Sequence, residues 1–228
     1  MIKIWIQFLS KNRNLRETVF TTFLFGLVSF LFSWFLIYVE HRNNYLGHFN
    51  DPFFFWDPID LSIPTFILTY GIIMFYMIYH IKSPLKIIHF IQMIIFIIVC
   101  RIISLTLIQF DAPEPIEQMV GPNYNGPRMI QLIDPILNNI LYHKNELTGT
   151  YTYHDLFFSG HTAKCLLASL LYESKKLKIF FMTLTCIMAT CLLLQHVHYS
   201  IDILFAPLVS FLAIYLHKKW VKLKSIKT

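Results

Sequence analysis

Apolar residues run along the chain in long blocks separated by shorter polar stretches. A block of about 20 apolar residues is long enough to cross the hydrocarbon core of a membrane as one helix. The pattern predicts six such helices, at Glu17–Val39, Leu61–His80, Lys86–Phe110, Leu156–Tyr172, Ile179–Leu194 and Tyr199–Leu216. It also predicts that Met1–Ser10, which is apolar but short, lies on the membrane surface. We therefore expect an all-α integral membrane protein in which residues 1–228 form a single membrane domain.

The composition supports this prediction. Hydrophobic residues make up 56% of the 228-residue chain and charged residues only 14%, a balance too apolar for a soluble protein of this length. The formal net charge of +6 does not indicate a nucleic-acid partner, because the basic residues form no stripe interleaved with aromatic residues. The cysteines fall inside apolar blocks without CxxC spacing, so we interpret them as small core residues rather than disulfides or metal ligands: Cys100, Cys165, Cys186 and Cys191.

Lysines and arginines predict the orientation in the membrane. They gather in four places: before the first predicted helix, between the second and third, between the fourth and fifth, and after the sixth. With six helices, all four groups fall on one side. That side should be cytoplasmic, because cytoplasmic loops carry an excess of Lys and Arg. Both termini are then cytoplasmic, and the starts of the fourth and sixth helices face the non-cytoplasmic side.

A histidine stands at the start of the fourth predicted helix, in the stretch from His154 to Thr162. Ser159 occupies the position of a helix N-cap, and Gly160 would let a bulky ligand approach the backbone closely. The free N–H groups and the positive dipole end of such a helix suit a phosphate. His161 would then lie in the first turn, facing whatever those N–H groups hold.

A second histidine stands at the start of the sixth predicted helix. His198 and Asp202 are four residues apart, so they should share one helix face. A carboxylate there can hold one ring nitrogen of His198 and leave the other free to attack. His196 falls on the other side of that helix, so we leave it out of the site. Together the two stretches predict a phosphoryl-transfer site on one membrane face.

Three further residues are candidates for holding the phosphate. Arg101 lies inside the third predicted helix, and an arginine in lipid normally faces a partner or a polar cavity. Its fork of donors suits a phosphate, whereas the alternative is a structural ion pair with Asp155 or Asp202. Lys164, one turn after His161, would either neutralise a phosphate or extend to the membrane surface. Asp155 lies inside the first histidine stretch, four residues before Ser159.

The polar loop Glu40–Asp60 leaves two questions open. Its carboxylates, Asp51, Asp57 and Asp60, could bind a divalent metal, although solvated carboxylates are the more common interpretation. Its aromatic run at residues 53–56 suits an interfacial belt. The same rings could also surround a quaternary ammonium group through cation–π contacts.

These motifs resemble the sphingomyelin synthase family, a branch of the type 2 phosphatidic acid phosphatase (lipid phosphate phosphatase) superfamily. The resemblance rests on Asp155-x-x-x-Ser159-Gly160-His161-Thr162 and His198-Tyr199-Ser200-x-Asp202. Arg101-x-x-Ser104 is similar to a weaker form of the family's Arg-x-x-Thr segment. The number and placement of the predicted helices also fit.

The resemblance implies a catalytic triad of His161, His198 and Asp202. The Ser-Arg pair found before the nucleophilic histidine in the phosphatases is missing here, where Thr190-Cys191-Leu192 stands instead. Its absence favours the transferase branch. Ser104 replaces the family's threonine and His154 replaces a glycine, and these departures leave the headgroup and the acceptor lipid open.

The expected activity is a lipid phosphotransferase. His198 would attack the headgroup phosphorus of a glycerophospholipid such as phosphatidylcholine, and His161 would protonate the departing diacylglycerol oxygen. A phospho-histidine intermediate would then pass the phospho-headgroup to ceramide or to another diacylglycerol. The partners are membrane lipids, and no metal or organic cofactor is required. The alternatives are a phosphatase that uses water as acceptor, and a transporter or scaffold whose polar residues are structural.

Overall fold

The structure is a computed structural model that describes residues 1–40, 49–59, 61–108, 110 and 156–226. Two features of the sequence interpretation, the second of which includes Asp155, lie outside these ranges. They are Asp60 and the polar stretch between the third and fourth predicted helices, residues 111–155.

Within the described residues the chain forms seven helices and no strand. The all-helical class is therefore confirmed. The helices are α1 (Ile2–Leu9), α2 (Asn12–Glu40), α3 (Ser62–Tyr79), α4 (Pro84–Leu107), α5 (Gly160–Leu170), α6 (Lys175–Leu194) and α7 (Ser200–Ile226).

Four of these helices, α2, α4, α6 and α7, are long and apolar enough to cross a membrane. The other two predicted spans are shorter. In α3 the apolar helix covers Ile63–Tyr79, and α5 has only 11 residues. At about 1.5 Å of rise per residue, α5 covers roughly half of a hydrocarbon core of about 30 Å. The described residues thus contain four candidate spans rather than the six that were predicted.

The fourth predicted helix is shorter than expected for a local reason. We predicted that it begins at Leu156, but Phe157 has a positive φ of 125°, which a right-handed helix excludes. The helix therefore begins only at Gly160, after Ser159. By contrast, α4 begins two residues before its predicted start because Pro84 occupies its first position, where the missing N–H costs nothing.

The short helix α5 lies at the centre of the bundle, in contact with α3, α4, α6 and α7. Its buried side chains include the small residues Ala163, Cys165, Ala168 and Ser169, which let neighbouring helices approach closely. Hydroxyl groups connect it to its neighbours. Ser169 Oγ lies 3.0 Å from Thr185 Oγ1 on α6, and Ser210 Oγ of α7 donates to the Ala163 carbonyl at 2.9 Å. The four cysteines are free thiols, but only Cys165 is buried and Cys186 is exposed, so the interpretation of all four as core residues is wrong.

Side-chain contacts connect the basic segments to one another. The Trp5 indole of α1 donates to the Ile81 carbonyl in the α3–α4 link at 2.8 Å. Lys86, at the start of α4, pairs with Glu173 in the α5–α6 link. The segments that carry the predicted cytoplasmic charges therefore gather at one end of the bundle. The starts of α5 and α7 lie at the other end, which is where the histidine motifs meet.

Candidate active site

Ser159 caps the N-terminus of α5. It has an extended backbone, with φ −68° and ψ 108°, and its Oγ accepts from the Thr162 N–H at 3.3 Å. The Thr162 hydroxyl also donates to Ser159 Oγ at 3.0 Å. The predicted N-cap is confirmed. The helix itself does not use the first N–H groups of α5, so that this end carries partial positive charge.

The second motif places a buried carboxylate on His198. Asp202 Oδ2 lies 3.2 Å from His198 Nδ1 and also accepts from the Tyr199 N–H at 3.1 Å. The predicted contact between the two side chains is therefore confirmed, but the expected shared helix face is wrong. His198 precedes α7, which begins at Ser200, and Asp202 reaches back from the first turn in the manner of a helix-capping acidic residue. A carboxylate on Nδ1 holds the proton there and leaves the lone pair on Nε2.

A backbone hydrogen bond joins the two motifs. The Ser159 N–H donates to the Asp202 carbonyl at 2.9 Å. The rings of His161 and His198 have centroids 6.4 Å apart and planes inclined by 57°. At this separation both imidazoles can contact one phosphoryl group that lies between them.

Arg101 reaches the same place from α4. Its side chain is buried, with 3% exposed, and its guanidinium carbon lies 5.6 Å from the centroid of the Phe158 ring. A Cβ added at Gly160 would lie 3.1 Å from Arg101 Cδ and 3.3 Å from Nε. The missing side chain of Gly160 therefore makes room for the Arg101 side chain. We had expected it to make room for a bulky ligand. A side chain at this position would require Arg101 to move away from the start of α5.

Ser104 holds the same end of α4 against the loop before α5. Its Oγ lies 3.1 Å from the Phe157 carbonyl and 2.9 Å from the Arg101 carbonyl. The Arg-x-x-Ser segment thus contacts the backbone where Phe157 has its positive φ. Lys164 lies on α5 one turn after His161 and is half-exposed. Asp155, the remaining candidate, is outside the described residues.

Asp51 is a structural acceptor that we did not predict. It is buried, with 5% exposed, and its carboxylate accepts from the Ser200 N–H at the start of α7 and from the Phe53 N–H. An acidic group at this position is stabilised by the helix dipole. The solvated interpretation of this carboxylate is therefore wrong. Among the residues that the structure describes, no group of three His, Cys, Asp or Glu side chains is arranged to hold a metal.

His196 was misplaced by the sequence interpretation. It lies in the turn between α6 and α7 rather than on a helix, has a positive φ of 55°, and is 1% exposed. Its ring stacks on Phe54 with centroids 4.0 Å apart and planes inclined by 11°, and Trp56 lies 6.1 Å away. Within the described part of the chain neither ring nitrogen has a hydrogen-bond partner. Unlike Phe53 and Phe55, which are exposed, Phe54 is thus a packing residue rather than part of an interfacial belt.

The environment of His196 favours its neutral form. Burial lowers the pKa of His196 below its ordinary value, and the nearby carboxylates of Asp51 and Asp57 oppose that shift. Desolvation is the larger of these effects.

Comparisons with known proteins identify the same region. Residues 154–219 match the family model described as PAP2 superfamily C-terminal, a range that includes both histidine motifs. This match supports a relationship to the PAP2 superfamily, whose members are generally phosphatases or phosphotransferases acting on lipid phosphates. Together with the apolar helices, it also supports an integral membrane protein. No curated protein and no solved structure matches the chain.

The state of His196 can be tested by titration. We expect its pKa, followed by histidine-selective NMR and assigned with His196→Gln, to lie below that of an exposed histidine. Replacing Asp57 with Asn should lower it further, because a carboxylate that stabilises the imidazolium is removed. A group whose pKa is depressed on folding makes the fold less stable as pH falls through the unfolded-state value of about 6.5. The stability of the wild type should therefore decline below that pH more steeply than the stability of His196→Gln. An ordinary or raised pKa would contradict the assignment.

Proposed function

We propose that this protein is an integral-membrane lipid phosphotransferase built as a single membrane domain. It moves a phospho-headgroup such as phosphocholine from a glycerophospholipid to ceramide or diacylglycerol. One observation carries the proposal: a buried His198–Asp202 pair faces His161 beside a helix start against which Arg101 is packed. Nucleophile, proton donor and anion-binding groups thus lie within reach of one phosphoryl group.

In the first half-reaction, His198 is the nucleophile. Its Nε2 lone pair attacks the headgroup phosphorus, so a P–N bond forms while the P–O bond to diacylglycerol breaks. His161 gives a proton to the departing oxygen, and diacylglycerol leaves. Asp202 holds the Nδ1 proton and stabilises the positive charge that develops on the ring.

The second half-reaction is the reverse with a different alcohol. An acceptor hydroxyl gives its proton to His161, and its oxygen attacks the phosphorus of the phospho-histidine. The P–N bond breaks, and His198 is restored. General acid–base and covalent catalysis supply the chemistry, so the proposed reaction requires no metal or organic cofactor.

The phosphoryl oxygens carry negative charge throughout. Arg101 and the N–H groups at the start of α5 are the donors that would hold them. Ser159 fixes the helix start, and Gly160 lets Arg101 approach it. Lys164 would add positive charge nearby, and Asp155 belongs to the same motif.

The gathering of basic segments at the opposite end of the bundle supports a proposed orientation in the membrane. If the shorter helices α3 and α5 cross the membrane together with the four candidate spans, that end and both termini are cytoplasmic. The active site then opens on the non-cytoplasmic face.

A lipid phosphate phosphatase is the second candidate, because the family match is to a superfamily that includes phosphatases. In that case water replaces the lipid acceptor at the phospho-histidine. A transporter or scaffold is a third hypothesis, in which the buried His198–Asp202 pair only holds α7 in place.

The central test is turnover of phosphatidylcholine carrying radioactive phosphorus, with ceramide or diacylglycerol as acceptor. His198→Ala should abolish both labelling of the protein and formation of labelled product. His161→Ala should slow turnover by about 10²–10⁴-fold, the usual contribution of a general acid. His89→Ala changes a histidine on α4 at the basic end and should have little effect.

The products distinguish the candidates. Labelled lipid indicates a transferase, whereas labelled phosphocholine or phosphate in the water phase indicates a phosphatase. Unchanged activity of membranes that carry His198→Ala would contradict the role of His198 as nucleophile. It would favour the hypothesis that the His198–Asp202 pair only holds α7 in place.

The role of Gly160 can be tested with a matched pair of glycines. Gly160→Ala places a Cβ 3.1 Å from Arg101 Cδ, so the arginine side chain must shift. We expect turnover to fall by roughly tenfold to a hundredfold, because small displacements of positioning groups are costly. Gly26→Ala, where a Cβ meets nothing within 4 Å, should leave turnover unchanged. Equal activity in the two variants would show that Arg101 tolerates displacement.

The orientation can be tested by cysteine labelling in a background without native cysteines. Phe55 is 79% exposed at the histidine end, and Lys219 lies on α7 at the basic end. Phe55→Cys in intact cells should react with an impermeant thiol reagent, and Lys219→Cys should react only after the membrane is opened. The reverse pattern would overturn the proposed orientation.

A further inference from the structure

A cavity of about 800 Å³ lies at the basic end of the bundle, away from the histidine motifs. It is lined by residues of α2, α4 and α7. Both α2 and α7 pack against α4, and the space lies between them. Most of its wall is apolar, including Leu24, Met93, Phe96 and Ala213.

The side-chain amide of Gln92 is a polar group within this apolar wall. Gln92 of α4 donates to Thr21 Oγ1 at 3.0 Å and to Glu17 Oε1 at 3.3 Å, and its own carbonyl oxygen lies 3.0 Å from His217 Nε2. One glutamine thus connects all three helices. The single carboxylate that lines the cavity, that of Glu17, already accepts a hydrogen bond from Gln92.

Two arginines line the cavity, and three lysines flank it on α7. Arg13 and Arg16, in the first turns of α2, both line the cavity and are exposed. Lys218, Lys219 and Lys222 are exposed on the neighbouring end of α7. Trp220, which also lines the cavity and is 41% exposed, is a residue type common at the membrane–water interface.

We propose that this cavity binds one acidic phospholipid. Its phosphate lies between Arg13 and Arg16, and an acyl chain follows the apolar wall towards Phe96. Apolar depth with guanidinium groups at the rim matches a lipid better than a soluble anion, which would gain nothing from the wall. The surplus of basic over acidic groups favours an acidic headgroup over a zwitterionic one.

This lipid is separate from the substrate. Along α4, Gln92 lies nine residues from Arg101, or about 13 Å of helix rise. The cavity lining includes none of the histidine-motif residues His161, His198 and Asp202. The bound lipid would therefore hold α2 and α7 at a fixed spacing on α4 without entering the reaction.

Native mass spectrometry in detergent tests the proposal. The protein carries His198→Ala, so that no lipid is turned over and the result does not depend on the proposed reaction. Phosphatidylglycerol and phosphatidylcholine with the same acyl chains are titrated separately. We expect one phosphatidylglycerol per chain to be retained more tightly than phosphatidylcholine. The water-soluble headgroup glycerophosphoglycerol should not compete.

Two double variants separate the cavity from general surface charge. Arg13→Gln with Arg16→Gln should weaken retention of phosphatidylglycerol by about tenfold or more. Lys218→Gln with Lys219→Gln removes the same charge outside the lining and should have a much smaller effect. Leu24→Phe, which adds bulk to the wall without changing charge, should also weaken retention.

Several results would overturn the proposal. Equal retention of both lipids would show that the cavity does not prefer an acidic headgroup. Equal losses in the two double variants would show that retention depends on general surface charge rather than on the cavity arginines. Competition by the soluble headgroup would indicate an anion site rather than a lipid site. Unchanged retention in Leu24→Phe would place the lipid outside the cavity.

Discussion

The arrangement of the histidine end depends on one buried carboxylate. Asp202 is 0% exposed, and its Oδ2 holds both the His198 ring and the Tyr199 N–H, while its backbone carbonyl accepts from Ser159. A single residue thereby fixes the histidine, the start of α7 and the cap of α5. Removing one partner of a buried charged contact typically costs about 3–5 kcal/mol. That cost falls on the His198 motif, which the side chain holds, whereas the backbone carbonyl of the same residue holds the cap of α5.

Close packing around α5 is the second constraint, and it explains why so short a helix can lie at the centre of the bundle. Its small side chains let four other helices approach it. The smallest residue of α5, Gly160, stands at its N-terminus and leaves room for the Arg101 side chain. An arginine carried deep on an apolar helix thereby lies beside helix N–H groups. Two sources of positive potential meet where the proposed reaction needs an anion held.

Much of this was predictable from sequence because it is local. Apolar blocks predicted the helices, Ser159 predicted a cap, and the spacing of His198 and Asp202 predicted their contact. Two errors were local: the positive φ of Phe157 delays the start of α5, and His198 lies before α7 rather than on it. The other errors concern contacts between residues far apart in the chain. Nothing near Asp51 indicates that it accepts from Ser200, about 150 positions later, and nothing near His196 indicates that it stacks on Phe54. The predicted helices ended at Leu194 and began at Tyr199, and these bounds were the signal that residues 195–198 form a turn.

Buried polar groups find hydrogen-bond partners differently at the two ends of the bundle. At the histidine end, Asp51 accepts a long-range hydrogen bond, and Ser104 and Ser159 donate long-range hydrogen bonds; these bonds hold loops and helix starts together. At the basic end, Gln92 bridges α2 and α7 beside a cavity that they leave open. Because α4 carries both Arg101 and Gln92, its position along the membrane normal is coupled to both ends. A lipid that fixed α2 and α7 against Gln92 would also constrain where Arg101 meets α5, and so would connect membrane composition to the geometry of the site.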